Sequence, residues 1–152
     1  MPAAVDILAE VPLFHHLSDV DRARLAARID VERVAAGTQM FAHGDPGGSM
    51  YVVRSGVVEL FFKNDTGERI VLETVGPGQF FGEISLLDGG PRTAAAVVTE
   101  DLEALVVDRG DLEDLFTVSP AAAMSLLAAA GERQRNTVHL LRHTASRDRG
   151  LR

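Results

Sequence analysis

The stretch from Phe80 to Ala94, FFGEISLLDGGPRTA, places the acid Glu83 and the arginine Arg92 among mainly apolar and small residues. Glu83 and Arg92 stand nine positions apart, and Asp88 is the only charged residue between them. The first half of the stretch is helical in composition, and a Gly-Gly-Pro turn follows it. The two opposite charges either pair with each other or face a third group that needs both.

The groups around the two charges suit a sugar phosphate. A helix beginning at Gly82 would direct free backbone N–H groups and the positive end of its dipole outward, and glycine permits close approach. Arg92 offers a fork of donors that matches phosphate, and Thr93 adds a hydroxyl and an N–H. Glu83 would repel a phosphate but can accept a hydrogen bond from a neighbouring sugar hydroxyl. An internal Glu83–Arg92 salt bridge of little net stability is the alternative that these residues leave open.

Outside this stretch, residues 31–108 alternate short β-branched and apolar runs with turn signals. Glycine, proline, asparagine and aspartate supply the signals. They fall at residues 36–37, 44–48, 55–56, 64–67 and 76–78. Counting the runs on each side of every turn predicts about eight antiparallel strands in a jelly-roll or β-roll arrangement.

Helices are predicted on both sides of the strands. Ser18 and Asp21 form an approximate capping box within a helical region at 3–29. C-terminal helices are predicted over 110–146, where Ser119 caps a helix that has Pro120 at its first position. Residues 147–152 lack periodicity and are predicted to form a flexible tail. The predicted fold class is α+β, mainly β, with one domain at 1–146 and a helix inserted late in the strands.

The composition excludes several classes of protein. The chain has 152 residues and no cysteine, so it has neither a disulfide framework nor a thiolate zinc site. Residues 1–10 contain two acids and no base, unlike a secretory signal. The most apolar run, at 120–131, is about half the length of a membrane span. We therefore expect a cytoplasmic protein and no membrane segment in this chain.

Charge is distributed unevenly along the chain. The net charge is −7, and residues 1–130 hold 9 Lys and Arg against 20 Asp and Glu. Residues 131–152 hold six arginines against two acids. An acidic body disfavours non-specific nucleic-acid binding, because phosphate neutralisation supplies the affinity there. The basic end leaves a weak exception and is interpreted as a solvated helix face or a linker.

Metal-dependent and nucleophilic chemistry are both disfavoured. The five histidines are scattered, and only His43 lies in the strand region. His139 and His143 have the i,i+4 spacing of a metal-binding pair, but their arginine-rich helix supplies no acidic partner. No serine stands in a recognisable nucleophile elbow. We expect no metal, no cofactor, no catalytic residue and no enzymatic activity.

Residues 81–98, FGEISLLDGGPRTAAAVV, resemble a known motif. They are similar to the phosphate-binding cassette of the cyclic nucleotide-binding domain family, found in bacterial catabolite-activator-type regulators, protein kinase regulatory subunits and nucleotide-gated channels. The pattern F-G-E-x-(S/A)-L, a short loop and R-(T/S/A)-A is met at every position. Residues 41–56 likewise resemble the family's G-D-x-(G/A) turn, apolar strand and distal glycine. The order of elements matches too, so the resemblance covers roughly residues 5–146.

The resemblance implies a role for each cassette residue. Arg92 would pair with the cyclic phosphate, helped by backbone N–H groups at Ser85 and Thr93. Glu83 would accept from the ribose 2′-hydroxyl, and Gly82 would allow close approach to the ribose. A terminal helix would act as a lid over the base. The implied ligand-binding set consists of cassette residues and three strand residues near the base, namely Phe81, Gly82, Glu83, Ile84, Ser85, Arg92, Thr93, Ala94, Leu60, Val71 and Leu72.

The resemblance implies a sensor that binds its ligand without turning it over. Cyclic AMP is favoured over cyclic GMP as the commoner bacterial ligand, although the hydroxyl of Thr93 suits either a guanine or the phosphate. Binding would be relayed through the C-terminal helices. No helix-turn-helix follows them, so we expect no direct DNA binding.

A second hypothesis is a nucleotide-free oligomerisation or docking module of the same fold. Its interface would be the helix at 120–145, which would contact either a second copy of the chain or an output domain or protein outside this chain. An intact pair of Glu83 and Arg92 speaks against this hypothesis, because a module without a ligand has no need of either charge.

Overall fold

The computed structural model describes residues 17–132 together with Leu8, Val11, Phe14 and His15. Its elements in chain order are α1 (Asp19–Ala26), β1 (Asp30–Val34), β2 (Gln39–Phe41), β3 (Ser49–Lys63), β4 (Arg69–Val75), β5 (Phe80–Phe81), α2 (Glu83–Asp88), β6 (Ala95–Asp108), α3 (Arg109–Val118) and α4, which covers residues 120–132. The predictions for residues 1–7, 9–10, 12–13, 16 and 133–152, including the flexible tail, lie outside the described residues.

The starts of the helices follow from local side-chain capping. Ser18 Oγ accepts from the backbone N of Asp21 at 3.2 Å, which confirms the predicted cap of α1. Ser119 Oγ accepts from the backbone N of Ala122 at 3.3 Å, which confirms the predicted cap of α4. At α3, Asp108 and Asp111 form a reciprocal capping box that the sequence analysis did not single out. No helix among the described residues is both long and apolar enough to cross a bilayer.

The strands form one antiparallel sheet in the order β1-β6-β3-β4, with β2 pairing with β6 and β5 pairing with β3. The described residues contain six strands and not the eight predicted. The difference arises because β3 and β6 are long and bent. The predicted turn at Ser55-Gly56 lies inside β3, where the register against β6 shifts at a bulge and the strand then continues.

Three buried clusters lie among the described residues, and α2 lies where the two larger ones meet. The helical core is formed by residues of the helices and of one end of β3 and β6: Leu8, Val11, Phe14, Leu17, Leu25, Ile29, Met50, Val52, Leu86, Leu105, Val107, Leu112, Leu115, Ala122 and Leu126. The sheet core is formed inside the bent sheet: Val53, Val58, Leu60, Val75, Phe81, Ala94, Ala96, Val98, Leu102 and Ala104. Phe81, directly before α2, belongs to the sheet core, and Leu86 within α2 belongs to the helical core.

Candidate ligand-binding site

A cavity of about 50 Å³ lies between α2 and the sheet. Its lining consists of Phe41, Leu60, Gly82, Glu83, Ile84, Ser85, Arg92, Thr93 and Ala94. Eight of the eleven residues predicted from the sequence are therefore brought together, and Phe41 is added to them. The segment that carries the two charges forms one wall, and Leu60 of β3 belongs to the opposing sheet.

The other three predicted residues do not line this cavity. Phe81 is fully buried behind it, where its ring stacks on Tyr51 with centroids 5.0 Å apart. Leu72 is partly buried against the sheet core. Val71 is 40% exposed and stands opposite Phe61 in the ladder between β3 and β4. A contact of Val71 or Leu72 with a base stays a prediction.

The backbone at Gly82 admits the Arg92 side chain into the site. Gly82 is the N-cap of α2 and has a φ of 85°. A Cβ built at this position would lie 2.7 Å from Nη1 of Arg92 and 3.1 Å from the carbonyl oxygen of Ser49. No residue with a side chain could occupy the position without displacing Arg92 or the start of β3.

Arg92 is a buried cation, with 5% of its surface exposed. Its Nη1 donates to the carbonyl oxygen of Gly82 at 3.1 Å, and its guanidinium carbon lies 4.3 Å from the ring centroid of Phe41. The buried Nε finds no acceptor among the described residues. Burial lowers the pKa of Arg92, and the nearby acidic groups of Tyr51, Asp45 and Glu83 oppose that shift. The site therefore holds a desolvated positive charge with a spare donor.

Glu83 lies in the same buried environment. Its side chain is 1% exposed, at the first position of α2, and its charge raises the pKa of Arg92. The two charges that the sequence singled out therefore interact within one site. This electrostatic contact is compatible with both hypotheses made from the sequence, the internal pair and the pair that shares a ligand.

The loop at residues 42–48 fixes the backbone of Arg92. The Gly44 N–H donates to the Arg92 carbonyl at 2.9 Å, and the Arg92 N–H donates to the Asp45 carbonyl at 2.7 Å. A Cβ built at Gly47 would lie 2.4 Å from Cβ of Ser85 and 3.2 Å from Nε of Arg92. The loop backbone thus packs directly on the cassette.

Phe41, Gly47 and Tyr51 are the residues of the site that the sequence analysis missed. All three lie inside or next to the turn motif at residues 41–56, which was recognised only as a turn and a strand. No local sequence pattern connects them to Arg92, because only the folded sheet brings them close to it. Among the described residues, no group of three or more His, Asp or Glu side chains could hold a metal ion, and His139 and His143 lie outside those residues.

A family model and a relative of known name both match most of this chain. Residues 31–119 match the family model described as the cyclic nucleotide-binding domain. The chain is 38% identical over 124 residues to the cyclic AMP receptor protein of Thermus thermophilus, a match that covers 82% of this chain and 57% of that protein. The chain thus spans less than two thirds of that relative's length.

Solved structures give the same result for the fold. The N-terminal domain of a transcriptional regulator from Streptomyces coelicolor A3(2) superposes with a TM-score of 0.70 at 38% identity, covering 90% of this chain and 95% of that one. The regulatory domain of Toxoplasma gondii PKA, crystallised with cAMP, superposes with a TM-score of 0.68 at 28% identity, covering 80% and 46%. These three proteins are, by name, a receptor, a transcriptional regulator and a regulatory domain.

Proposed function

The chain belongs to the cyclic nucleotide-binding domain family, and on that premise we propose that it binds a cyclic nucleotide between α2 and the sheet as a regulatory domain without catalytic activity. The observation that carries this proposal is the guanidinium of Arg92. It is 5% exposed, its Nε has no acceptor among the described residues, and it lines the cavity. A buried cation with a spare donor gains most from an anion, because charge-assisted hydrogen bonds are the strong ones in a desolvated site.

In this proposal each cassette residue contacts a different part of the ligand. Arg92 pairs with the cyclic phosphate, with support from the backbone N–H groups of Ser85 and Thr93. Glu83 accepts from the ribose 2′-hydroxyl beside it. Leu60 and Ala94 offer apolar surface for the remainder of the nucleotide, since both line the cavity and belong to the sheet core.

We propose cyclic AMP, rather than cyclic GMP, as the ligand. The Thermus relative is named for cyclic AMP, and the Toxoplasma regulatory domain was crystallised with it. The hydroxyl of Thr93 is then assigned to the phosphate, not to a guanine.

Binding is relayed to the C-terminal helices through α2. Leu86 of α2 shares the helical core with Leu112 and Leu115 of α3 and with Leu126 of α4. A phosphate that draws the cassette toward itself displaces Leu86, and a close-packed core transmits such a shift to its other members. The ligand favours the arrangement that it binds more tightly, so the change is a shift of population between two arrangements.

Calorimetry on three proteins tests the ligand. Wild type is titrated with cyclic AMP and cyclic GMP, and Arg92→Ala is compared with Arg69→Ala, which also removes an arginine from the face of a phenylalanine but outside the cavity. We expect Arg92→Ala to weaken binding by about 100-fold or more, because the phosphate loses its buried partner. Arg69→Ala should bind like wild type. Equal affinity in Arg92→Ala, or no binding by wild type below about 100 μM, would reject the proposal.

A second comparison examines the ribose contact. Glu83→Gln should weaken cyclic AMP binding by less than Arg92→Ala does, because a neutral amide oxygen still accepts a hydrogen bond. The wild type should bind 2′-deoxy cyclic AMP more weakly than cyclic AMP, whereas Glu83→Gln should discriminate little between the two. Full discrimination by Glu83→Gln would place the 2′-hydroxyl elsewhere.

We further propose that α4 packs against a second copy of the chain. Met124 is 66% exposed and Leu127 is 55% exposed, although Ala122, Leu126 and Ala130 bury the opposite face of the same helix. Residues 120–131 carry no charge. Two equivalent apolar faces can cover each other across a two-fold axis, which makes a homodimer the simplest partner.

A further inference from the structure

The guanidinium of Arg92 itself fills much of the site in this structure. One face of the guanidinium lies on Phe41, with 4.3 Å between Cζ and the ring centroid. Nη1 donates a hydrogen bond to the Gly82 carbonyl oxygen at 3.1 Å. The ring of Tyr51 lies 5.9 Å from the same Cζ. The cavity that remains is about 50 Å³. Pockets that hold drug-sized ligands have volumes of roughly 300–1,000 Å³, so a nucleotide does not fit this arrangement.

The Nε edge of the guanidinium is covered by the loop at residues 42–48. Nε points toward Gly47, whose added Cβ would lie only 3.2 Å from it, and the same Cβ would overlap Ser85. A phosphate therefore cannot reach Nε while Arg92, the loop and α2 keep these positions. Either the guanidinium or its surroundings must move before the anion is bound through Nε.

We propose that Phe41 sets the affinity and the association rate of the nucleotide by holding Arg92 in this closed position, an inference that rests on the proposed function. Phe41 is a positioning residue, because it acts on the ligand through Arg92. The contact between a guanidinium and an aromatic face strengthens when it is desolvated, and Arg92 is almost fully buried. When only part of the population is competent to bind, the apparent affinity falls by that fraction.

The test compares association rates in three variants. Phe41→Leu keeps an apolar side chain of similar size but removes the aromatic face, whereas Phe41→Tyr keeps the ring. Phe61→Leu is the matched control, because Arg69 lies over the Phe61 ring at 4.2 Å and neither residue lines the cavity. The chain has one tyrosine and no tryptophan, so the emission of Tyr51 reports on the site in stopped-flow experiments with cyclic AMP.

We expect Phe41→Leu to associate about threefold faster or more and to bind cyclic AMP more tightly by a similar factor. Phe41→Tyr and Phe61→Leu should keep the wild-type rates. A slower association, an unchanged association or a faster dissociation in Phe41→Leu would overturn the inference, because Phe41 would then be only a wall of the site. Thermal unfolding checks that each variant folds, and Phe41→Ile replaces Phe41→Leu if it does not.

A second readout requires no ligand. Nuclear magnetic resonance of arginine side chains should show the Nε–H of Arg92 shifted by the ring current of Phe41 and protected from exchange, with Arg92→Lys assigning the signal. Phe41→Leu should remove the ring-current shift. An unshifted signal that exchanges rapidly in the wild type would overturn the inference even if cyclic AMP binds.

The two proposals fail in different ways. If the wild type binds no cyclic nucleotide, the proposed function fails and this inference fails with it. If the wild type binds cyclic AMP but Phe41→Leu behaves like wild type, the inference alone fails.

Discussion

The backbone conformation of Gly82 leaves room for the guanidinium of Arg92. Its φ of 85° is costly for any residue with a Cβ, and that Cβ would lie 2.7 Å from Nη1 of Arg92. Gly78 has a φ of 83° but no heavy atom within 4 Å of an added Cβ. An alanine at Gly78 therefore measures the conformational cost alone, whereas an alanine at Gly82 adds the steric effect on Arg92.

Gly82→Ala should bind cyclic AMP at least tenfold more weakly than Gly78→Ala, because only the first substitution displaces the guanidinium. Both variants should lose about 1–2 kcal/mol of unfolding free energy from the left-handed conformation. Calorimetry and denaturant unfolding measure the two quantities. Equal binding by the two variants would mean that Arg92 moves aside without consequence.

Tyr51 reports on the charge of Arg92. Burial raises the pKa of Tyr51 above its ordinary value of 10.0, the charge of Glu32 raises it further, and the charge of Arg92 lowers it. Arg92→Ala should therefore raise the pKa of Tyr51, and Glu32→Gln should lower it. Absorbance titration of the single tyrosine measures both shifts, and a lower pKa in Arg92→Ala would contradict the assignment.

The same shift has a consequence for stability at alkaline pH. The pKa of Tyr51 is higher in the folded chain than in the unfolded chain, so the folded chain binds the proton more tightly. Its contribution to stability is fully present below pH 10 or so and is lost as the pH rises through the folded pKa.

At the scale of elements, the cassette could be predicted because its signals are local. Gly82, the apolar run after it and Gly89 determine a short helix with its ends, and these residues are consecutive in the sequence. Seven of the eight predicted residues that line the cavity belong to this one stretch, whereas Leu60 lies on β3. Phe41 and Tyr51 were missed because they approach Arg92 across the sheet, from positions that no local pattern connects to it.

The strand count could not be predicted for a similar reason. Ser55-Gly56 has the composition of a turn. In the structure, however, β3 continues through Gly56 and bends there, where it passes close to Asp101 of β6. Whether such a dipeptide reverses the chain or bends it depends on the partner strand, which lies far away in the sequence.

Gly56→Ala tests this account of the bulge. A Cβ at Gly56 would lie 2.2 Å from the carbonyl oxygen of Asp101, whereas Gly67, also at positive φ, has nothing within 4 Å. We expect Gly56→Ala to lose about 3 kcal/mol of unfolding free energy, against about 1 kcal/mol for Gly67→Ala. Denaturant unfolding measures both, and equal losses would show that β3 can shift away from β6 at low cost.

At the scale of the whole molecule, α2 connects two cores that are otherwise distinct. The sheet core contains Phe81 and the helical core contains Leu86, so a displacement of α2 acts on both. The C-terminal helices belong only to the helical core among the described residues. In the proposed relay, a signal that begins at Arg92 reaches α4 through the helical core, and α4 exposes Met124 and Leu127.

The exposed face of α4 gives the prediction at this scale. The double variant Met124→Glu and Leu127→Glu should have the mass of one chain in sedimentation or light scattering, whereas the wild type should have the mass of two, because buried carboxylates oppose a symmetric apolar contact. Val20→Glu is the control, since Val20 is 70% exposed on α1 and outside the proposed interface. It should leave the mass at two chains. A wild type that sediments as one chain, with and without cyclic AMP, would contradict the proposed homodimer. The exposed face of α4 would then contact a different partner, and the relay through Leu86 would act on that partner.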